Sequence, residues 1–333
     1  MTRPVLDVQS LRVQYPVGTL VGRLLRRGPR EVTILPEVSL SVPPGQTLGL
    51  IGESGSGKTT LGRAAIGLAP ISGGAVEIAG IRASGGDPKP WAQIRKRSAM
   101  MFQDAVASLD PRMTLGQSVT EPLAVQGGHD GNRRERAAEL LGLVGLAPDF
   151  ADRYPHQISG GQARRVTVAR ALALEPELVI ADEPTAGLDL SVQGELLNLL
   201  GDLQHRLGVS FLFITHNLAV ARHVTDRIAI MYLGRIVEEA PTRTIFDAPA
   251  HPYTRALIRA RQATGSDGLI EGEVPSLANR PAGCEFRTRC PLATGLCARE
   301  APQLRQIAGG HSVSCHHADA QSAARPKNKQ PTG

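Results

Sequence analysis

The sequence predicts an α/β fold built on a parallel sheet, and three observations carry that prediction. Short apolar runs of the kind buried on both faces of a sheet recur at GQTLGLIG (45–52), ELVIA (177–181) and VSFLFIT (209–215). Helical patterns such as GELLNLLGDLQHRL (194–207) lie between such runs, and strands alternating with helices make a parallel sheet. The first run ends in glycine and passes at once into ESGSGKTTLGRAAIGL (53–68), a strand, glycine loop and helix in order.

The other elements follow along the chain. LDVQSLRVQY (6–15) and VTILPEVSLSV (32–42) alternate apolar and polar residues as half-buried strands do. The Gly, Pro and Arg of residues 16–30 suit a loop between them. From about 104 to 172 the helical patterns RRERAAELLGLVGL and GGQARRVTVARALAL follow one another with no strand run between them, which reads as a helical insert. After residue 247 the chain turns to Pro, Gly, Arg and its four cysteines. The expected organisation is therefore a main domain over 1–247, an accessory segment over 248–317 and a polar, disordered tail over 318–333.

Composition bounds the function. At 333 residues the chain exceeds one domain of roughly 100–200 residues, in keeping with a large domain plus an extension. Its 41% hydrophobic residues supply a core, and with aromatics at 3% aliphatic side chains and Ala must pack it. No apolar run comes near the roughly 18 residues that span a bilayer, and MTRPVLDVQS lacks a signal-peptide pattern. A cytosolic chain is expected. The net charge of +6 is modest, and the basic stretches GRLLRRGPR (22–30) and ARPKNKQPTG (324–333) read as solvated surface, with no nucleic-acid partner.

GESGSGKT (52–59) fits the phosphate-loop pattern G-x-x-x-x-G-K-[ST] in its required setting after a strand and before a helix. Gly55 and Gly57 let the backbone curl so that successive N–H groups face phosphate oxygens, and the helix that follows adds its positive end. Lys58 can bridge the β- and γ-phosphates, and the Thr59 hydroxyl can hold Mg²⁺. LVIADEP (178–184) supplies the second half of such a site. Its apolar residues bury a strand that delivers Asp182 to the C-terminal sheet edge, where Asp182 can organise Mg²⁺ through its water shell. Glu183 could then polarise the attacking water as general base.

ISGGQ (158–162) decides the family: the chain resembles the ATPase subunits of ABC transporters, whose signature is LSGGQ, with Ile158 keeping the apolar anchor. Ser159, Gly160 and Gly161 open a helix, so N–H groups, a hydroxyl and a positive dipole end face outward. In the family that end, with Gln162, caps the γ-phosphate of ATP on an opposing subunit, so hydrolysis needs a head-to-tail pair. MFQD (101–104) resembles the Q-loop, AGLD (186–189) the D-loop and ITHN (214–217) the switch-histidine motif. The resemblance thus implies roles for Gln103 at Mg²⁺ and water, Asp189 across the dimer and His216 near the γ-phosphate. Tyr15 matches the aromatic that stacks on adenine, and Gly52, Ser54, Ser56 and Thr60 complete the implied ATP contacts. The implied fold is a P-loop NTPase of ABC type: a parallel-sheet core, an antiparallel β subdomain, a helical subdomain and a small Cys-rich C-terminal extension.

Two further stretches narrow the resemblance. SLDPRMTLGQSVTEPL (108–123) and HPYTRAL (251–257) resemble the oligopeptide/dipeptide importer ATPases. That implies ATP-driven import of di- or oligopeptides. The implied partners are two membrane permease subunits, a second ATPase subunit and an external substrate-binding protein. The implied location is the cytoplasmic face of the inner membrane. Import of nickel or another small solute is the alternative within the family, and a non-transport ABC ATPase the alternative outside it.

The four cysteines all fall in 284–315. Cys284, Phe286, Arg289, Cys290, Pro291, Cys297 and Cys315 match a subfamily pattern whose cysteines ligate a [4Fe–4S] cluster, so the resemblance implies that cofactor beside ATP and Mg²⁺. Arg287 and Arg289 are expected to lower the thiol pKa values. Zinc is the alternative, although its structural sites favour closer C-x₂₋₄-C pairs, and plain buried thiols remain open. Disulfides are disfavoured in a reducing cytosol. His311, His316 and His317 lie near enough in sequence to Cys315 to replace a ligand. Either way the stretch is expected to be an appendix outside the ATPase machinery.

Overall fold

Twelve strands are described: β1 (Leu6–Pro16), β2 (Glu31–Val42), β3 (Thr47–Ile51), β4 (Gly73–Ile78), β5 (Ile81–Ala83), β6 (Ser98–Met101), β7 (Leu178–Asp182), β8 (Ser210–Thr215), β9 (Arg227–Tyr232), β10 (Arg235–Pro241), β11 (Arg305–Ala308) and β12 (His311–Val313). The structure is a computed structural model that describes residues 3–16, 31–126, 131–262 and 272–318; the basic stretch 22–30 and all but the first residue of the 318–333 tail lie outside the described residues. The strands form an eight-stranded sheet, in the order β11-β12-β10-β9-β3-β8-β7-β6, and a four-stranded sheet, β2-β1-β4-β5.

The three apolar runs are the centre of the large sheet. β3, β7 and β8 are buried at every residue, and β9, β3, β8, β7 and β6 pair in parallel. Burial on both faces is why these strands read as continuous apolar runs. β6 escapes that signal because only four residues, SAMM, make it. The small sheet is antiparallel, as the resemblance implies. Its alternation is visible in β1, where Leu6, Val8, Leu11 and Val13 are buried. The step from Val8 to Leu11 breaks the period at a bulge, where Ser10 takes a positive φ and its N–H donates to Ser39 Oγ.

Three of the four apolar clusters among the described residues hold these layers together. Leu11, Val13 and Leu35 of the small sheet meet Leu48, Leu50 and Leu61 of the large sheet and the helix Lys58–Ala65. Leu115, Val119, Leu140, Leu141 and Val166 join the helices Leu115–Gln126, Arg133–Leu143 and Gly160–Leu172 of the helical insert to β7 and β8 through Val179 and Phe213. Tyr232, Tyr253, Phe286 and Ile230 form the third, under the C-terminal segment.

That segment is continuous with the large sheet, which corrects the expectation of an appendix. β12 pairs with β10, Glu238 opposite Val313, and β11 pairs with β12 at the sheet edge. The HPYTRAL stretch opens the helix Pro252–Gln262, with Pro252 in its first turn. His251 is buried there, and its Nδ1 accepts the Tyr253 N–H at 3.1 Å. The Glu238 carboxylate accepts the N–H groups of Ala250 and His251 at 2.6 and 2.9 Å and lies 2.7 Å from His311 Nε2.

Burial pushes the His251 imidazole down to about 4, against the opposing influence of Glu238. Its neutral ring is therefore the folded form. The unfolded chain takes up the proton near pH 6.5, so this stability is complete above that pH and is lost as pH falls towards 4, by about 3 kcal/mol. Melting temperatures at pH 7 and pH 5 should show about 2 kcal/mol of this loss, and His251→Asn should flatten the difference, because Asn still caps the helix without titrating. An unchanged pH slope in the variant would remove His251 from the explanation.

Candidate functional site

The phosphate loop joins β3 to the helix Lys58–Ala65 and rests on the turn between β9 and β10. Gly55 and Gly57 adopt φ of 78° and 101°, the left-handed conformations the curled loop requires. Gly52 is needed for a different reason: a Cβ there would lie 2.2 Å from Met231 O. Lys58 is buried and its Nζ donates to Gly52 O and Glu53 O at 2.8 and 2.9 Å. Burial pushes the Lys58 pKa down, while Glu183, Asp182 and Glu53 oppose that shift. Within the loop Ser56 is buried and Ser54 exposed, and Thr60 is half-buried in the first turn of the helix.

β7 and β8 bring the acidic residues to this loop. Thr59 Oγ1 donates to Asp182 Oδ1 at 3.0 Å, which joins the helix start to the end of β7. Asp182 is 2% exposed, and burial pushes its carboxyl up although the Thr59 hydrogen bond opposes the shift. A hydroxyl and a carboxylate oxygen converging at the mouth of the loop are the hard oxygen donors that suit Mg²⁺. Glu183 follows with φ of 49°, a strained conformation for a residue with a side chain. That backbone turn sets its carboxylate against β8. Oε1 accepts the His216 N–H at 3.0 Å and lies 2.7 Å from His216 Nδ1, and Oε2 accepts from Thr215 Oγ1 at 3.3 Å. Glu183 and His216, 33 positions apart, are therefore one hydrogen-bonded pair.

The remaining residues read from the sequence stand apart from this pair. Gln103 is exposed two residues beyond Met101, which pairs with Ala181, so it leaves the sheet at the same edge as Asp182. Tyr15 is 37% exposed near the end of β1. Ser159 caps the helix Gly160–Leu172: its Oγ accepts the Gln162 N–H while Gln162 Oε1 accepts the Ser159 N–H. The signature residues thus bond to one another, with Ser159 and Gly160 exposed and a Cβ on Gly161 meeting Val192 Cγ1 at 2.8 Å. Asp189 caps the helix Leu190–Leu207 through the N–H groups of Ser191 and Val192.

Two residues outside the ATPase motifs also shape the loop. The Gly234 N–H donates to Ser56 O at 2.7 Å, and its φ of 75° places its α-carbon against the carbonyl of Ile34. Tyr253 Oη accepts the Glu53 N–H at 3.0 Å. The only sequence signal for either was local: a glycine in a turn, and the HPYTRAL resemblance.

The cysteine reading is corrected. Among the described residues no group of three or more His, Cys, Asp or Glu side chains is placed to hold a metal ion, so neither a [4Fe–4S] cluster nor zinc is assigned to Cys284, Cys290, Cys297 and Cys315. All four are free thiols. Cys284 and Cys290 pack on the Tyr232–Tyr253–Phe286 cluster, and Cys315 packs on Ala250 and Val313. Burial pushes the thiols of Cys284, Cys290 and Cys315 up, which favours the neutral form over the thiolate a metal needs. The arginines expected to lower those values are engaged elsewhere, Arg287 with Ala282 O and Arg289 with Glu53. Two of the histidines are engaged as well, His311 with Glu238 and His316 with Glu300 O, whereas His317 Nε2 stays beside one thiol, 3.3 Å from Thr294 Oγ1 and 3.6 Å from Cys297 Sγ.

Comparison with known proteins places this site in a family. Residues 35–186 match the ABC transporter family and residues 237–297 match the C-terminal region of oligopeptide/dipeptide transporters. The chain is 42% identical to a protein of Brucella ovis named as a peptide import ATP-binding protein, over 94% of this chain and 97% of that one. It is 46% identical to a like-named protein of Brucella abortus, over 89% of this chain and 88% of that one. Among solved structures it resembles a dimeric ATP-binding cassette in a post-hydrolysis state bound to ADP and Pi. There the TM-score is 0.62 at 30% identity, covering 72% of this chain and 99% of that one. Similarity on this scale, with both halves of the chain matched, shows that the protein belongs to the ATP-binding subunits of ABC transporters, in the group that carries the oligopeptide/dipeptide C-terminal region.

Proposed function

We propose that the chain is the ATP-hydrolysing subunit of an importer for di- or oligopeptides. Its partners would be two membrane permease subunits, a second ATPase subunit and an external binding protein. It would work at the cytoplasmic face of the inner membrane. Among the described residues no helix is long and apolar enough to cross a bilayer, so the translocation path would belong to the permeases. The observation that carries the reading is the match of the C-terminal segment, joined to identity with peptide import ATP-binding proteins along almost the whole chain.

In this reading Lys58 and the N–H groups of the phosphate loop hold the ATP phosphates, and Tyr15 stacks on the adenine. Mg²⁺, when bound, neutralises charge on the phosphate oxygens, and Thr59, Asp182 and Gln103 are the residues that would hold it. Glu183 takes the proton of the attacking water. His216, paired with that carboxylate, keeps it oriented and lies at the γ-phosphate end of the site. Ser159, Gly160, Gly161 and Gln162 present a helix N-terminus to the ATP of the opposing subunit, and Asp189 lies at the same dimer face.

Reconstitution into liposomes with the permeases tests the substrate class. Peptide-loaded binding protein is expected to raise ATP hydrolysis by about tenfold over the unloaded protein. Stimulation by a nickel-loaded binding protein and not by a peptide-loaded one would refute the peptide assignment.

A further inference from the structure

The C-terminal segment reaches the phosphate loop directly. The Arg289 side chain is 4% exposed, and its two terminal nitrogens donate to the two oxygens of Glu53 at 2.8 and 3.1 Å. Glu53 is the second residue of the loop, and its own N–H is bound by the Tyr253 hydroxyl. The Tyr232 ring lies beneath the guanidinium, with its centroid 6.0 Å away. Arg280 braces the same region, donating to the carbonyls of Thr33 and Ile34 at 2.8 and 3.0 Å, to Leu233 O, and to Glu285. Three side chains contributed after residue 250 thus hold the loop and the turn on which it rests.

The charge at Glu53 gives this contact its consequence. A carboxylate beside a loop that receives phosphates repels an anionic ligand, and Glu53 stands within Coulombic reach of Lys58, which would bind the phosphates. A bidentate arginine pair neutralises that carboxylate and fixes its direction at once. We propose that Arg289 is a positioning residue for nucleotide binding: by neutralising Glu53 and, with Tyr253, fixing the start of the phosphate loop, it makes the C-terminal segment a determinant of ATP affinity. This rests on the reading of the loop as an ATP site.

The full-length protein and its variants test it, with MgATP titrations in steady-state hydrolysis and binding of a non-hydrolysable ATP analogue. Arg289→Gln is expected to raise KM and the analogue Kd by about tenfold, with kcat within about twofold, because the loss falls on binding. The deficit should shrink as NaCl is raised, since salt screens the exposed part of the Glu53 charge. Adding Glu53→Gln to that variant should bring affinity back to within about threefold of wild type, which a purely structural role would not do. Unchanged affinity in Arg289→Gln, or a double variant as weak as the single one, would overturn the proposal. Should Gln at this buried position prevent folding, Arg289→Lys keeps the charge: affinity within about threefold of wild type supports the charge argument, and a tenfold loss overturns it. A wild-type chain that binds no analogue would instead refute the ATP-site reading, and this inference with it.

Discussion

Glu183→Gln is expected to lower steady-state ATP hydrolysis by about a hundredfold or more while ATP affinity stays within about threefold of wild type. The geometry explains both halves. The Glu183 side chain reaches neither Lys58 nor Thr59 in a hydrogen bond; it is held by the His216 N–H, His216 Nδ1 and Thr215 Oγ1. The glutamine oxygen can still accept from the His216 backbone, and its amide NH2 can donate to Thr215 Oγ1, so the strained turn at φ 49° and the loop opposite keep their shape. The amide cannot take a proton from water, so only the chemical step is lost. With ATP bound and uncleaved, the variant should accumulate as a closed dimer, visible by size-exclusion chromatography in MgATP and absent in MgADP. Wild-type turnover in this variant would remove Glu183 from the role of base.

Gly234→Ala is expected to have a comparably large effect through stability and binding, although the residue lies outside every motif. An ideal Cβ at this position falls 1.9 Å from Ile34 O, an overlap that no rotamer relieves because the backbone fixes the Cβ and the oxygen is itself a backbone carbonyl. Its φ of 75° adds strain of its own for an L-residue. The turn must move, and with it go the hydrogen bond from the Gly234 N–H to Ser56 O and the contacts of Arg280 with Leu233 and Ile34. We expect a loss of about 3–5 kcal/mol in chemical denaturation and at least a tenfold weaker ATP affinity in the protein that remains folded. Gly208→Ala is the control: it too has a positive φ, at 66°, but nothing lies within 4 Å of the added Cβ, so a loss of only about 1 kcal/mol is expected there. Equal losses in the two variants would mean that the left-handed φ alone, and not the clash at Ile34, sets the cost.

Much of the site was legible in order along the chain because its chemistry is local. The curl of residues 52–59 needs glycines at fixed spacing, and the apolar run 178–181 ends where Asp182 must emerge. Both are properties of contiguous residues. The Ser159–Gln162 capping box belongs to the same class, since its two reciprocal bonds span three positions. β6 and the β9–β10 hairpin were not legible. The first is too short for a pattern, and in the second β9 is buried at all but its first residue, so it lacks the alternation that marks a hairpin strand.

By itself, then, the sequence determined the family, the parallel core and the candidate groups for phosphate, metal ion and water, because each rests on spacing within a few residues. Only the tertiary structure decided where the C-terminal segment packs. A four-cysteine pattern implied a metal cofactor, whereas packing pushes the pKa values of Cys284, Cys290 and Cys315 up, which favours the neutral thiol, and Arg289 is bound to Glu53. That arginine meets Glu53 across 236 positions and Tyr253 meets the same residue across 200. Contacts over such separations arise from how the sheet and its edge strands stack, and no local spacing encodes them.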